Sequence, residues 1–220
     1  MDDAPYNPLD KRHLGESVAA ALLRRPIGSL PPSDQFAGAG IYAIYYAGGF
    51  KAYRPISEMN RSKNPMQPIY VGKAVPPGAR KGGFGLGAAP GPAIFKRLRE
   101  HARSVEEGDQ LRLQDFTCRY LVSDDIWIPL GESLLIEQFK PLWNVLIEGF
   151  GIHKPGKNRP QQTSKWDTLH PGRRLAEGLP PNPLTAKQLT GMIADFFAGK
   201  DVKILSPVEA VTEDIEEEGE

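Results

Sequence analysis

Several polar side chains in this sequence have types and spacings that suit the hydrolysis of a phosphodiester. Tyr42 and Tyr70 each lie in an apolar, strand-like run, and Lys73 follows Tyr70 by three residues. Arg97 and His101 are four residues apart in a run that predicts a helix, so they share one helical face. Phenols, a guanidinium and an imidazole on neighbouring elements could orient a water molecule and compensate the charge of a phosphate.

An acid and an amide follow further along the chain. Glu132 lies near the start of an apolar helical run that Pro141 ends, and Asn144 comes three residues after that proline. One carboxylate could hold a magnesium ion that keeps several of its waters, and such an ion would stabilise the leaving 3′ oxygen. Each residue alone also has an ordinary structural interpretation: a packed strand tyrosine, an exposed helical face, an acid in a first helical turn or a turn amide.

Taken in order, these motifs resemble the GIY-YIG nuclease superfamily over about residues 38 to 146. The resemblance is carried by Gly40-Ile41-Tyr42 and Tyr70-Val71-Gly72, followed by the helical Arg and His, the Glu and the Asn. Glu137 does not sit at the family position and is expected to be structural. The residues that the resemblance assigns to catalysis are Tyr42, Tyr70, Lys73, Arg97, His101, Glu132 and Asn144.

The resemblance also implies a role for each group. Tyr42 would be the general-base tyrosine, and because a free phenol has a pKa of ~10, a nearby cation, Lys73 or His101, would have to favour its phenolate. Tyr70 would hold the phosphate or a water, and Arg97 would stabilise the charge of the transition state. Glu132 would bind Mg²⁺ or Mn²⁺, and Asn144 would stabilise the site by hydrogen bonding.

The implied fold is an α/β (α+β) GIY-YIG domain with a small, central, mostly antiparallel three-stranded sheet flanked by helices, an N-terminal helix, DNA-facing loop insertions and a C-terminal helix. The apolar runs predict its strands near residues 39–47, 68–73 and 114–122. A helix capped by Asp10 is expected over about 8–25, and a helix capped by Thr185 over about 185–198, where its apolar stripe would serve the core or a dimer contact.

The composition along the chain predicts a catalytic domain with attached segments. We expect an N-terminal helical extension at 1–37, the catalytic domain at 38–148 with insertions near 48–67 and 75–92, a basic polar DNA-contact loop at 149–182, a C-terminal helix at 183–200 and an acidic, disordered tail at 201–220.

The net charge of zero hides an uneven distribution of charge. Residues 213–220 contain six acids, whereas residues 51–112 contain twelve Lys or Arg and five acids. Such basic segments either follow a DNA backbone or form a solvated polar surface, and their Arg, Asn and Gln side chains could read base edges. The candidate DNA contacts are Arg54, Arg61, Lys63, Arg80, Lys81, Lys154, Lys157, Asn158, Arg159, Gln161 and Lys165.

Other compositional features exclude some kinds of site. Cys118 is the only cysteine, which rules out an intramolecular disulfide and a cysteine-built zinc site. His153 and His170 have no second ligand at metal spacing, so we expect surface or DNA-contact positions for them. The chain starts with acidic residues and has no apolar run long enough to cross a membrane, so we expect a cytoplasmic protein.

No zinc-finger or helix-turn-helix pattern is present, so specificity would have to come from the insertions. In this respect the chain resembles the type II restriction endonucleases of the superfamily, in particular those that cut CCGCGG (the SacII specificity). The resemblance implies double-stranded DNA as partner, a homodimer on a palindrome and a companion DNA methyltransferase. Two alternatives remain: a structure-specific or mobile-element nuclease of the same superfamily, and a DNA-binding module without catalysis.

Overall fold

An antiparallel sheet lies at the centre of the computed structural model, which describes residues 7, 9–62, 65–75, 91–152 and 162–210. Its strands are β1 (Gly28–Ser29), β2 (Gly40–Tyr46), β3 (Tyr70–Ala74) and β4 (Phe116–Val122), in the order β1-β4-β2-β3. Every neighbouring pair is antiparallel. The predicted α+β architecture and its three long strands are therefore confirmed. The two-residue strand β1 is an addition, because two residues are too few to carry a recognisable period.

Helices cover both faces of this sheet. They are α1 (Lys11–Leu23), α2 (Arg54–Asn60), α3 (Ala93–Glu107), α4 (Ile128–Phe139), α5 (Leu142–Val145), α6 (Lys165–Leu169) and α7 (Ala186–Phe197). A Cβ at Gly131 of α4 would meet Val18 of α1 and Ile41 of β2, so α1 and α4 lie on the Ile41 face. Because side chains alternate along a strand, Tyr42 points to the other face, where it contacts α3.

Two of these helices begin where the sequence predicts. The side chain of Asp10 accepts a hydrogen bond from the backbone N–H of Arg12. Thr185 and Gln188 form a capping box at the start of α7, an arrangement in which each side chain satisfies a backbone N–H of the first turn. No helix in the described part of the chain is long and apolar enough to cross a membrane.

The first insertion differs from the loop expected there. Residues Lys51–Tyr53 form a 3-10 turn that leads into α2, and Tyr53 and Ile56 are buried. The side chain of Asn60 closes the segment, since its amide donates to the carbonyls of Tyr46 and Gln67. Apolar residues at helical spacing explain the difference, because they pack this segment onto the domain core.

The segment expected to be a basic polar loop is also partly interior. Trp166 is completely buried and its ring packs on Phe150, with ring centroids 5.3 Å apart. The Arg173 guanidinium forms a bidentate ion pair with Asp167, at 2.6 and 2.7 Å. His170 is 0% exposed, so the expectation of a surface position for it is wrong. Residues 153–161 of this predicted loop, with His153, lie outside the described residues.

The two terminal segments pack against the domain. A Cβ at Gly15 of α1 would collide with Leu134 of α4, so the N-terminal helix lies close against the catalytic domain. The backbone N–H of Leu205 donates to the carbonyl of Val145 at 2.8 Å, and Ala210 is buried. The first half of the predicted acidic tail is thus packed rather than disordered, and residues 211–220 lie outside the described residues.

Candidate functional site

The predicted site residues gather around β3, the edge strand of the sheet. Strand alternation places Tyr70 and Gly72 on the face that α3 covers, and Val71 and Lys73 on the face that α4 covers. β3 pairs with β2 along one edge only, so its other edge is available to a different part of the chain. The site is therefore built on both faces and on the free edge of one short strand.

On the α3 face, a buried hydrogen bond joins Tyr42 to His101. The hydroxyl oxygen of Tyr42 lies 2.7 Å from Nε2 of His101, and both side chains are 0% exposed. Burial, together with the charge of Arg97, holds the pKa of His101 well below its usual range. The imidazole is therefore neutral at neutral pH, and its Nε2 can accept the proton of the Tyr42 hydroxyl.

Gly72 provides the space that the Tyr42 ring requires. A Cβ at position 72 would lie 2.5 Å from the Tyr42 hydroxyl oxygen and 2.7 Å from the ring carbon that bears it. Any side chain at this position would displace the phenol from His101. The glycine of the second motif is therefore explained by the close approach of a ring rather than by an unusual backbone angle.

Tyr70 and Arg97 complete this face of the site. The ring centroid of Tyr70 lies 6.4 Å from that of Tyr42 and 5.0 Å from that of His101. Phe150 stacks on the imidazole of His101 at 4.7 Å. Arg97 lies one turn before His101 on α3 and is 9% exposed, and its Nη1 is 3.6 Å from the half-exposed carboxylate of Glu100. These contacts hold the imidazole in an aromatic environment beside a guanidinium.

On the α4 face, Lys73 and Glu132 form a buried ion pair. Nζ of Lys73 lies 2.6 Å from Oε2 of Glu132, and the two side chains are 6% and 0% exposed. In the described ranges no group of three or more His, Cys, Asp or Glu side chains could hold a metal ion. A hydrated divalent cation that used this one carboxylate would have to compete with Lys73, which already compensates its charge.

The free edge of β3 is occupied by Asn144. Its side-chain oxygen accepts a hydrogen bond from the N–H of Val71 and its amide nitrogen donates to the carbonyl of Val71, both at 2.8 Å. The preceding backbone N–H, of Trp143, donates to the carbonyl of Ile69 at 3.0 Å. The side chain thus replaces a neighbouring strand and satisfies the edge groups next to Tyr70.

The candidate DNA contacts are only partly within the described residues. Arg54 and Arg61 are exposed, and Arg54 pairs with Glu58 at 2.7 Å. Lys165 is instead paired with Glu148 at 2.8 Å, so its charge is already compensated. The other candidates lie outside the described residues: Lys63, Arg80, Lys81, Lys154, Lys157, Asn158, Arg159 and Gln161.

Comparison with known families agrees with this geometry. The family model described as the Eco29kI GIY-YIG domain matches residues 34–197, which is 164 of the 220 residues. The chain belongs to the Eco29kI GIY-YIG family. It is thus a nuclease domain of the restriction-endonuclease kind, and the match takes in α6 and α7, beyond the region around residue 146 where the sequence motifs end. No curated protein matches the chain.

The Eco29kI-type domain contains a second buried tyrosine–histidine pair that the motifs did not indicate. The hydroxyl of Tyr53 lies 2.7 Å from Nε2 of His170, and the indole nitrogen of Trp143 lies 2.9 Å from the same hydroxyl. Tyr53 and His170 are separated by 117 residues. No local sequence pattern connects residues so far apart, so only the fold could reveal the pair.

Proposed function

We propose that the protein is a site-specific type II restriction endonuclease that hydrolyses double-stranded DNA at a short palindrome. The observation that carries the proposal is the buried 2.7 Å hydrogen bond between Tyr42 and a neutral His101. Tyr70 and Arg97 adjoin this pair, so its phenol lies among groups that can bind a phosphate. In a domain of the Eco29kI GIY-YIG family, this pair gives the hydroxyl of the motif tyrosine a hydrogen-bond acceptor.

The chemistry begins with two proton transfers. The proton of the Tyr42 hydroxyl moves to Nε2 of His101, and the resulting phenolate takes a proton from a water molecule. The hydroxide attacks the phosphorus, and the bond from phosphorus to the 3′ oxygen breaks. Burial first, and then the charge of Arg97, lower the pKa of His101 in the free protein, and a bound DNA phosphate would offset the second of these two effects.

Arg97 stabilises the negative charge that accumulates on the phosphate. Its guanidinium is almost fully buried, with 9% exposure, and a charge excluded from water interacts more strongly with a phosphate than an exposed one does. Loss of one such preorganised group typically lowers the rate about 10²- to 10³-fold. Tyr70, beside His101, holds the phosphate or the attacking water through its hydroxyl.

Glu132 would hold the divalent cation, Mg²⁺ or Mn²⁺. When bound, the cation stabilises the charge on the departing 3′ oxygen. Lys73 keeps the Glu132 carboxylate oriented through their 2.6 Å contact. Asn144 keeps β3, and with it Tyr70 and Lys73, in place by pairing with Val71.

Specificity would come from segments that the domain carries in addition to its motifs. CCGCGG is the candidate palindrome, because these segments resemble the insertions of enzymes that cut this sequence. Arg54 and Arg61 are exposed cations on the first of them. One site cuts one strand, so a twofold homodimer is the simplest assembly for a double-strand break, and a companion methyltransferase would protect the host DNA.

Digestion of a sequenced plasmid tests this function. With Mg²⁺ present, we expect discrete fragments whose sequenced ends share one palindrome, and no cutting by Glu132→Gln, which should still bind DNA. A smear would point to a nuclease without site specificity, and binding without cutting would point to an inactive DNA-binding module. Cutting by Glu132→Gln at the wild-type rate would contradict the assigned role of the carboxylate.

A further inference from the structure

The hydrogen bonds around Tyr53 have a single consistent direction. An indole nitrogen can only donate and a carbonyl oxygen can only accept, so the Tyr53 oxygen accepts from Trp143, and Nδ1 of His170 donates to Asp109 at 3.2 Å. A neutral imidazole with its proton on Nδ1 then accepts the Tyr53 hydrogen at Nε2. Four groups from four separate segments therefore form one chain in which every polar atom has a partner.

This chain is deeply buried. Tyr53 and His170 are 0% exposed and Trp143 is 1% exposed. Burial lowers the pKa of His170 to about 4, so the imidazole stays neutral and remains an acceptor at neutral pH. A buried, fully satisfied network of this kind fixes one arrangement of its members, because each alternative leaves a polar group without a partner.

Trp143 connects the chain of hydrogen bonds to the active-site strand. The indole is held by Tyr53, while the backbone of the same residue donates to Ile69. The next residue, Asn144, forms both hydrogen bonds to Val71. The two edge contacts therefore flank Tyr70, and both come from the segment that carries the Trp143 indole.

We propose that Tyr53 and His170 are positioning residues of the nuclease site, which hold Trp143 so that Asn144 fixes β3 and the groups it carries. The inference rests on the proposed nuclease function. The first insertion, 48–67, then has a role within the catalytic machinery, because its buried side holds the strand that bears Tyr70 and Lys73. This role is separate from any contact that the exposed side of the insertion makes with DNA.

The decisive variant is Tyr53→Phe, which keeps the ring and removes the hydroxyl. We expect kcat on a duplex substrate to fall about tenfold or more, since small displacements of catalytic groups are costly, with KM and DNA affinity unchanged. Ser57→Ala is the matched control. Ser57 is also buried on α2, and its hydroxyl donates to the carbonyl of Gly48 at 2.8 Å, so the variant loses one hydrogen bond of the insertion without touching Trp143.

Variants at His170 provide a second route if Tyr53→Phe does not fold. His170→Gln offers an amide oxygen to Tyr53 and should retain most of kcat, whereas His170→Leu should lose about as much as Tyr53→Phe. The double variant, Tyr53→Phe with His170→Leu, should lose little more than either single variant, because both changes break the same chain.

Amide hydrogen exchange provides a readout that does not depend on cleavage. Because the Val71 N–H is bonded to Asn144, Tyr53→Phe should accelerate its exchange about fivefold to tenfold, the cost of weakening one buried hydrogen bond, and Ser57→Ala should not. Unchanged kcat and unchanged Val71 exchange in Tyr53→Phe, or equal losses in Ser57→Ala, would overturn the inference. A wild-type protein that cuts no DNA but shows the Val71 effect would contradict the proposed function and leave the positioning role supported.

Discussion

The ion pair between Lys73 and Glu132 should make the proposed metal ligand important for stability as well as for cleavage. The pair has a 2.6 Å contact and the side chains are 6% and 0% exposed. Removal of one partner leaves a buried charge without its counter-ion, which typically costs about 3–5 kcal/mol. Glu132→Met, which keeps the volume and removes the charge, should therefore lower the free energy of unfolding by that amount.

Stability should recover in the variant that lacks both charges. When Lys73→Met is added to Glu132→Met, no charge remains buried, and apolar replacement of a buried pair is often neutral or stabilising. Urea denaturation of the wild type, both single variants and the double variant measures the coupling between the two residues. In thermal melts, the loss in Glu132→Met should appear as a fall in Tm of about 6–20 °C for a chain of this size.

The exposed pair of Arg54 and Glu58 serves as a control for this cycle. Its two side chains are 77% and 49% exposed, and exposed pairs contribute little because water and salt screen their charges. Glu58→Met should therefore change stability little. Additive losses in the Lys73 and Glu132 variants, with no recovery in the double variant, would refute the assignment of this contact as a coupled buried pair.

Two further predictions concern the tyrosine–histidine pairs. Gly72→Ala places a Cβ 2.5 Å from the Tyr42 hydroxyl, so kcat should fall about as far as in Tyr42→Phe. DNA affinity, measured by fluorescence anisotropy, should be retained. A wild-type kcat in Gly72→Ala would show that the Tyr42 ring can move aside without loss. Because the pKa of buried His170 is about 4 rather than 6.5, its contribution to stability is complete above pH ~6.5 and is lost as the pH falls towards 4, by about 3 kcal/mol. Denaturation at several pH values should show a shallower loss over that range in His170→Gln, and equal slopes in the two proteins would contradict this assignment.

Local features of the fold were predictable from the sequence alone. The run from Gly40 to Tyr46 is apolar throughout and forms a strand that is buried along its whole length. Asp10 and Thr185 begin α1 and α7 because their short polar side chains can satisfy free N–H groups at a helix start. These features depend only on residues a few positions apart.

The relations between distant segments were not predictable in this way. The sequence indicated basic, polar insertions, whereas the structure places Tyr53 and His170 in the core, where they bond to each other. The sequence offers Lys73 as a cation that acts on Tyr42, but strand alternation turns Lys73 to the opposite face, where it meets Glu132. Each of these outcomes depends on packing between segments that lie far apart in the chain.

The most direct test of the central claim is the single-turnover cleavage rate of Tyr42→Phe beside that of the wild type, on one duplex that the wild type cuts. We expect a fall of at least about 10²-fold, the usual contribution of a positioned acid or base, with unchanged affinity for the duplex. His101→Leu, which removes the acceptor of the Tyr42 proton, should show a loss of similar size. Cleavage by Tyr42→Phe at the wild-type rate would contradict the claim that this buried phenol activates the attacking water.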